Sequence, residues 1–183
     1  MTYDSRKSEY NTFENFPKLS ANCINYLIDN EEVIWRLLKY NTSDAWNKSN
    51  LTKVEKGALI YSGQPEQTDY RVFMDIGQDV PWDIEACVLR ISPVELNPTN
   101  HIYGNVSMLF EVYSHYKIEH MSNYQVRSNM AIQRIIETFN GAEIGGLGRL
   151  YFDFSVSSKC RTILVGQIPM RGVAAVMCNW ITS

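Results

Sequence analysis

The 183-residue sequence has no excess of positive charge and no long apolar run. Its 17 basic and 20 acidic side chains give a formal net charge of −3, which argues against a protein that gains affinity by neutralising many phosphates. No apolar stretch reaches the ~18 residues that a membrane span requires, and the polar first ten residues do not resemble a signal peptide. We therefore expect a protein that is cytosolic when made and neither enters a membrane nor binds nucleic acid specifically.

Cysteine is also scarce. Cys23, Cys87, Cys160 and Cys178 are far apart in the sequence, and no Cys-x-x-Cys pair occurs. Zinc ribbons need paired cysteines at short spacing, and disulfide frameworks belong to secreted chains, so neither is supported. The sequence predicts free, buried thiols.

The chain shows no linker, low-complexity tract or internal repeat that would divide it. A chain of this length buries roughly 70% of the surface that it exposes when unfolded, which is enough for an independent core. We expect a single domain over residues 1–183. Residues 1–16 are polar and aperiodic, a pattern typical of an extended arm that orders against a partner.

Helical patterns dominate the first third of the chain. Ser20 can cap a first helix, and a second begins near Asn30. Thr52 and Glu55 have the spacing of a capping box, which predicts a third helix from Lys53 to about Tyr61. The second helix carries four apolar residues on one face: Val33, Ile34, Leu37 and Leu38.

Strand patterns follow. Residues 71–74 and 85–92 read as strands, the second buried on both faces and closed by Ser92-Pro93. Residues 102–112 alternate between apolar and polar side chains, which indicates a half-buried antiparallel strand. It exceeds the ~5–6 residues of a usual strand, so it either bends or projects as part of a ribbon over residues 102–118.

A second helical pattern places Ile132, Ile135, Ile136 and Phe139 on one face, with Arg127, Arg134 and Glu137 opposite them. Three β-like runs then end the chain, over 149–156, 161–166 and 172–182. This order of helices, strands, helix and strands predicts an α+β fold, with a mainly antiparallel sheet and helices packed on one face.

A glycine cluster follows that helix: Gly141, Gly145, Gly146 and Gly148. These glycines stand after a helix and before a strand, whereas phosphate-binding loops stand after a strand and before a helix. No Gly-x-Gly-x-x-Gly or Walker pattern is present. We interpret the cluster as a structural turn, in which Asn140-Gly141 ends the helix with a left-handed cap.

Two sets of polar residues could carry chemistry. Glu111, His115, Glu119 and His120 include metal-ligand types, but Glu111 and His115 would lie about 13–14 Å apart on a strand at ~3.4 Å per residue. A solvated strand end is the preferred interpretation. Asp83 and Glu85 could hold a divalent ion for hydrolysis, although no lysine accompanies them in the sequence. This hydrolase is the best enzyme hypothesis that the residues offer, and we keep it as an alternative.

Aromatic residues are abundant, with four tryptophans and 11 tyrosines. Tyrosine and tryptophan supply large contact areas at low entropic cost, so a surplus beyond the needs of the core suits extensive interfaces. Trp46 and Trp82 have polar, proline or aspartate neighbours in the sequence, and Arg149 follows the glycine turn. These three side chains are the predicted interface residues.

Three sequence blocks together resemble neck and tail-completion proteins of tailed bacteriophages, particularly the tail-terminator type. The first is Val33-Ile-Trp-Arg-Leu-Leu-Lys-Tyr40, followed by Asn50-Leu-Thr-Lys-Val-Glu-Lys. The second is Val88-Leu-Arg-Ile-Ser-Pro93 with the strand from Val106 to His115. The third comprises Phe139-Asn-Gly, Ile144-Gly-Gly-Leu-Gly and Leu150-Tyr-Phe-Asp.

The resemblance implies a non-catalytic virion protein without a cofactor. It would form a ring, usually a hexamer, at the head-proximal end of the tail. There it would stop polymerisation of the tail tube, and of the sheath if present, and join the tail to the head or portal complex. DNA would pass through the lumen without specific binding. Head-closure and portal-adaptor roles remain alternatives within the neck.

Overall fold

The computed structural model describes residues 18–63, 69–74, 85–98, 104–144, 149–152 and 171–181. Within these ranges the helices are α1 (Leu19–Asn30), α2 (Val33–Lys39), α3 (Lys53–Ala58), α4 (Tyr116–Glu119) and α5 (Arg127–Phe139), and a 3-10 turn covers Ala45–Asn47. The strands are β1 (Val72–Phe73), β2 (Cys87–Pro98), β3 (Gly104–His115), β4 (Arg149–Tyr151) and β5 (Arg171–Ile181). No helix in these ranges is long and apolar enough to cross a membrane.

The strands form one sheet in the order β1-β2-β3-β5-β4. β1 runs parallel to β2, and all other neighbouring pairs are antiparallel. The predicted α+β fold with a mainly antiparallel sheet is confirmed. Within the segment predicted as a bent strand or a ribbon, residues 105–115 pair with β2 along one edge and with β5 along the other, so β3 is a central strand of the sheet.

Alternation along β3 sorts its side chains between two faces, as the sequence predicts. The even-numbered residues from Val106 to Val112 lie in the main core, under the helices. Helix α5 packs on this face, and its Phe139 ring lies 4.9 Å from the Phe110 ring, centroid to centroid. The apolar residues of α5 that are buried in this core are Ala131, Ile132, Ile135 and Phe139, and the half-buried Ile136 packs against it.

The opposite face of the sheet carries a smaller aromatic and aliphatic cluster. Its buried members are Tyr70, Phe73, Ala86, Val88 and Tyr113. Tyr113 donates a hydrogen bond from Oη to Glu111 at 2.9 Å, and Glu111 lies 3.5 Å from the Arg90 guanidinium. Burial, aided by the Glu111 carboxylate, raises the pKa of Tyr113 to about 12. Its hydroxyl is therefore a donor at neutral pH.

Several element boundaries differ from the sequence-based prediction. Ser20 lies inside α1 and is buried, and Lys18 occupies the capping position without a side-chain capping bond. Strand β2 continues past Pro93, because a bulge between Pro93 and Glu95 accommodates the proline in the ladder. The predicted capping box of α3 is confirmed, but the helix ends at Ala58.

The turn after α5 behaves as predicted at Gly141. This glycine has φ +77°, a left-handed conformation that costs a side-chain-bearing residue roughly 1–2 kcal/mol. Its N–H donates to the Leu150 carbonyl at 2.7 Å, and the Leu150 N–H donates to Ala142 at 2.9 Å. These two bonds bring β4 beside the end of α5. Gly145, Gly146 and Gly148 lie outside the described residues.

Candidate interface groove

A buried carboxylate organises the junction between α1 and α2. One oxygen of Glu31 accepts hydrogen bonds from the backbone N–H groups of Val33 at 2.6 Å and Ile34 at 3.2 Å, so it caps the first turn of α2. The other oxygen accepts from Arg134 Nη2 at 2.8 Å and Thr138 Oγ1 at 3.2 Å, both on α5. The carboxylate is fully satisfied, and it holds Arg134 against the seam between α2 and α5.

A buried lysine satisfies the end of α1. Lys56 Nζ donates to the carbonyls of Ile28 at 2.8 Å and Glu31 at 3.1 Å, and to Glu32 Oε1 at 2.8 Å. The last carbonyls of a helix have no partner inside the helix, so an ammonium group placed there replaces the lost bonds and complements the helix dipole. The side chain also lies over Trp35, 6.0 Å from the ring centroid. Lys56 thereby ties α3 to the α1–α2 junction.

A buried arginine performs the same task at the end of α2. The Arg127 guanidinium donates to the carbonyls of Leu37, Tyr40 and Thr42 at 2.7 Å each, and its Nε donates to Ile118 at 2.8 Å. Burial lowers the pKa of Arg127, yet a guanidinium stays charged at neutral pH. This result corrects the prediction that Arg127 lies on the outer face of α5. Its side chain is fully buried because it replaces hydrogen bonds that α2 and α4 lack.

These contacts leave a surface groove between α2, the 3-10 turn and α5, with a volume of about 420 Å³. We call it the α2/α5 groove. Its uncharged lining combines apolar side chains with side-chain amides: Val33, Trp46, Met130, Asn47, Gln125 and Gln133. Three of the nine lining residues are apolar, so polar and charged side chains make up most of the lining.

The charged lining of the groove consists of Arg36, Arg134 and Glu137. Arg134 already has two carboxylate partners within the chain, because it donates to Glu137 at 2.8 Å and to the buried Glu31. Arg36 donates from Nη1 to the Lys48 carbonyl at 2.9 Å, while its Nε is buried without a hydrogen-bond partner. Within the part of the chain that the structure describes, Arg36 makes no ion pair.

Trp46 forms one wall of the groove and is half-buried. Its indole Nε1 donates to Ser122 Oγ at 3.2 Å, and the Ser122 N–H donates to the Ser43 carbonyl at 2.8 Å. These two bonds connect the 3-10 turn to the loop between α4 and α5. The predicted interface residue Trp46 is therefore held in one orientation, with part of its ring in the groove.

The loop between α4 and α5 presents a fully exposed aromatic side chain, Tyr124. Its φ of 62° is the left-handed conformation, which is uncommon for a bulky residue. The Tyr124 N–H donates to Met121, the Met121 N–H donates to Gln125, and the Gln125 N–H donates to Asn123 Oδ1. Hydrogen bonds thus hold the loop and fix an exposed tyrosine next to a residue that lines the groove.

Comparison with known proteins places the chain in a family. The family model described as YomW matches residues 30–164, nearly three quarters of the sequence. The chain belongs to the YomW family. This family is phage-derived, so the resemblance to phage proteins is confirmed at that level. No curated protein and no solved structure matches the chain.

The matched YomW segment contains the α2/α5 groove and most of the predicted site residues. Of the predicted interface residues, Trp46 lines the groove and Arg149 is exposed on β4, whereas Trp82 lies outside the described residues. The backbones of Arg149 and Glu143 form an isolated antiparallel β-bridge. The structure therefore brings one predicted residue to the groove and places Arg149 elsewhere.

The four metal-ligand candidates do not converge. Glu111 accepts from Tyr113 on the sheet face opposite the helices, while His115 Nδ1 accepts from the Lys117 N–H and caps α4. Glu119 is buried and accepts from the Ser128 hydroxyl. Among the residues that the structure describes, no group of three or more histidine, cysteine, aspartate or glutamate side chains could share a metal ion.

Of the hydrolase candidates, only Glu85 is described. It is exposed and forms an ion pair with Lys117 of α4. The Lys117 ammonium lowers the pKa of Glu85. Asp83 lies outside the described residues.

Both described thiols fit the prediction of free, buried cysteines. Cys23 and Cys87 are buried, and neither forms a disulfide. Burial raises the pKa of each to about 12, so the thiolate form is scarce at neutral pH. The side chains of Cys160 and Cys178 lie outside the described part of the structure.

Sequence analysis did not identify Arg36, Met130 or Tyr124 as parts of a site. Arg36 and Met130 are ordinary residues of amphipathic helices, and only the packing of α2 against α5 makes them neighbours. Tyr124 did carry a usable signal, because it stands within the polar run Ser122-Asn-Tyr-Gln125 between two helices. An isolated aromatic residue in such a loop has no core to join.

Proposed function

We propose that this YomW-family protein is a non-catalytic structural protein of a phage neck, of the tail-terminator type. It forms a ring at the head-proximal end of the tail, ends tail polymerisation and joins the tail to the head or portal complex. Membership in a phage-derived family supports the phage origin. The observation that carries the assembly role is Tyr124, an exposed aromatic residue fixed beside the α2/α5 groove.

The physical argument concerns the cost of exposing Tyr124. A left-handed φ costs a non-glycine residue roughly 1–2 kcal/mol, and a fully exposed ring regains nothing from burial within its own chain. Residues held in sparsely populated conformations are concentrated at functional sites. Tyrosines are strong interface anchors, since their large rings supply contact area at low entropic cost. A partner surface that covers Tyr124 would supply the missing stabilisation.

Assembly is tested by imaging and sedimentation. We expect the purified protein to form discrete rings in negative stain, alone or after mixing with the tail tube protein of the same phage. Sedimentation velocity should give one oligomer size, as closed symmetry requires. A protein that stays strictly monomeric in both conditions would contradict the proposal.

Substitution of Tyr124 tests the observation behind the proposal. Truncating an aromatic anchor costs about 2 kcal/mol of binding or more, or about a thirtyfold loss of affinity, so Tyr124→Ser should weaken assembly by at least that factor. Its melting temperature should not fall, because the ring makes no contact within the fold. Tyr151→Ser is the matched control, since Tyr151 is 42% exposed but lies on β4 and not in the loop between α4 and α5. Equal assembly in both variants would count against Tyr124 as an anchor.

One observation favours a second candidate function, metal-dependent hydrolysis through Asp83 and Glu85. Such a site needs a lysine near its carboxylates, and Lys117 forms an ion pair with Glu85. This function predicts that Mn²⁺ binds in calorimetry and that Asp83→Ala abolishes the binding heat. Absence of binding heat in the unmodified protein would eliminate this candidate.

A further inference from the structure

The α2/α5 groove has the chemistry of a peptide-binding site. Its amides, Asn47, Gln125 and Gln133, contain donors and acceptors that match the N–H and C=O groups of a peptide backbone, and one N–H of Gln133 already donates to Glu137 at 2.8 Å. Trp46 and Met130 provide an adaptable apolar surface for a partner side chain. A ligand that fits must therefore combine backbone amides with an apolar group.

The charged residues of the groove indicate which charge the ligand carries. Arg134 is neutralised by Glu31 and Glu137, so its charge is compensated within the fold. Arg36 has one described hydrogen bond, to a carbonyl, and its buried Nε has none. A guanidinium with unused donors pairs best with a carboxylate, through short charge-assisted hydrogen bonds. Arg36 is thus the cation of the groove that has no described carboxylate partner, and a carboxylate of the ligand can pair with it.

We propose that the α2/α5 groove binds a short segment of a neighbouring structural protein, whose aspartate or glutamate side chain pairs with Arg36 and whose adjacent apolar side chain packs on Trp46 and Met130. Tyr124 flanks the bound segment. The inference rests on the proposed assembly function and names the partner chemistry of its site.

The same features favour a protein over a nucleic acid as the occupant. Nucleic acids are bound by several cations that neutralise successive phosphates. The groove has one guanidinium without a described carboxylate partner, that of Arg36, and a single such cation cannot neutralise successive phosphates. The amide groups suit a peptide backbone, and the formal net charge of the protein is −3.

The test uses two blocked pentapeptides, one with a glutamate flanked by leucines and the other with glutamine in its place. Binding is followed by two-dimensional NMR through the indole N–H of Trp46, which is assigned with Trp46→Phe. We expect the glutamate peptide to shift this resonance and to bind about tenfold more tightly than the glutamine peptide, since charge-assisted bonds exceed neutral ones. Arg36→Gln should remove this preference, and Arg36→Lys should keep part of it.

Lys39→Gln is the matched control, because Lys39 carries the same charge on the same helix but is exposed and does not line the groove. It should leave the preference within about twofold, as expected for a screened charge. The proposal is overturned by equal affinity for the two peptides, by a preference that survives Arg36→Gln, or by a thymidine oligonucleotide that binds more tightly than the glutamate peptide. Absence of any shift at about 10 mM glutamate peptide also overturns it.

The peptide titration does not depend on ring formation, so the two proposals fail separately. If the protein forms rings but does not prefer the glutamate peptide, the proposed assembly function stands and the proposed acidic partner segment is wrong. If the protein is strictly monomeric but prefers the glutamate peptide, the groove stands as a peptide-binding site and the proposed ring is wrong.

Discussion

Replacing Arg127 with methionine should destabilise the protein more than any surface substitution. The guanidinium is fully buried and joins four backbone carbonyls that belong to three parts of the chain: the end of α4, the end of α2 and the segment that follows α2. Methionine has a similar length and fills much of the same space, so little of the loss would come from a cavity. The variant therefore isolates the contribution of the hydrogen bonds.

The expected loss in the free energy of unfolding follows from the hydrogen bonds that the four carbonyls lose in Arg127→Met. The acceptors at Leu37 and Ile118 form buried hydrogen bonds, whereas those at Tyr40 and Thr42 are partly buried and can rehydrate. Each buried acceptor left without a donor costs about 1–3 kcal/mol. The two buried acceptors together should cost about 2–6 kcal/mol, and we expect a loss near the middle of this range, about 4 kcal/mol. Domains are stable by only about 5–15 kcal/mol, so the effect is large.

Urea unfolding followed by tryptophan fluorescence measures this loss, because Trp35 is fully buried in the core. With a slope of about 2 kcal/mol per molar urea, Arg127→Met should lower the midpoint by about 2 M. Lys39→Met is the matched control, since it removes an exposed cation from the last turn of α2 and should cost about 0.5 kcal/mol or less. Arg127→Lys should lie between the two, because an ammonium group has only three donors.

A loss below about 1 kcal/mol in Arg127→Met would refute this reasoning. It would mean that the carbonyls find other donors, or that burying the guanidinium costs nearly as much as its bonds contribute. A loss of similar size in Lys39→Met would assign the effect to the helix dipole instead of the specific bonds.

Three further predictions concern local features. Gly141→Ala should cost about 1–2 kcal/mol in urea unfolding despite open space around the added methyl group, because of the positive φ, and an unchanged midpoint would contradict this. Hydrogen bonds from the backbone N–H and the hydroxyl of Thr52 lower the pKa of Glu55 in the folded protein. These bonds therefore stabilise the folded protein at pH values above the pKa that Glu55 has in the unfolded chain, and this stabilisation is lost as the pH falls through the pKa of Glu55 in the folded protein. In a carboxyl NMR titration, Thr52→Ala should raise that pKa, and no change would exclude the hydroxyl as a cause. Cys23 and Cys87 should resist iodoacetamide at pH 8 in the native protein and react in urea, and rapid native labelling seen by peptide mass spectrometry would contradict their burial.

Much of the fold follows from local sequence patterns. The alternation along β3 correctly predicts which of its side chains enter the core, because a pleated strand points successive side chains to opposite faces. The Thr52–Glu55 capping box and the left-handed Gly141 are likewise confirmed, since each depends on the conformation of a few adjacent residues. Family membership and its phage origin also follow from the sequence.

The residues of the groove were harder to predict. Trp46 was identified because a tryptophan among polar residues is unusual, but its partner Ser122 is 76 residues away. Arg127 and Arg134 looked equivalent on the polar face of α5, yet one is fully buried and the other is half-exposed. Helical periodicity cannot distinguish them, because it reports the face of a helix and not what lies opposite that face.

By itself, the sequence determined most of the described helices and strands, the face that β3 and most helical residues turn to the core, the α+β class and the family. Only the tertiary structure decided which charges are buried and which side chains meet in the groove. The physical reason is the range of the interactions. Periodicity and capping act within one or two turns, whereas the partners of Glu31 on α5 are more than 100 residues distant. A buried charge is stable only where such distant groups supply its hydrogen bonds, and the fold alone brings them together.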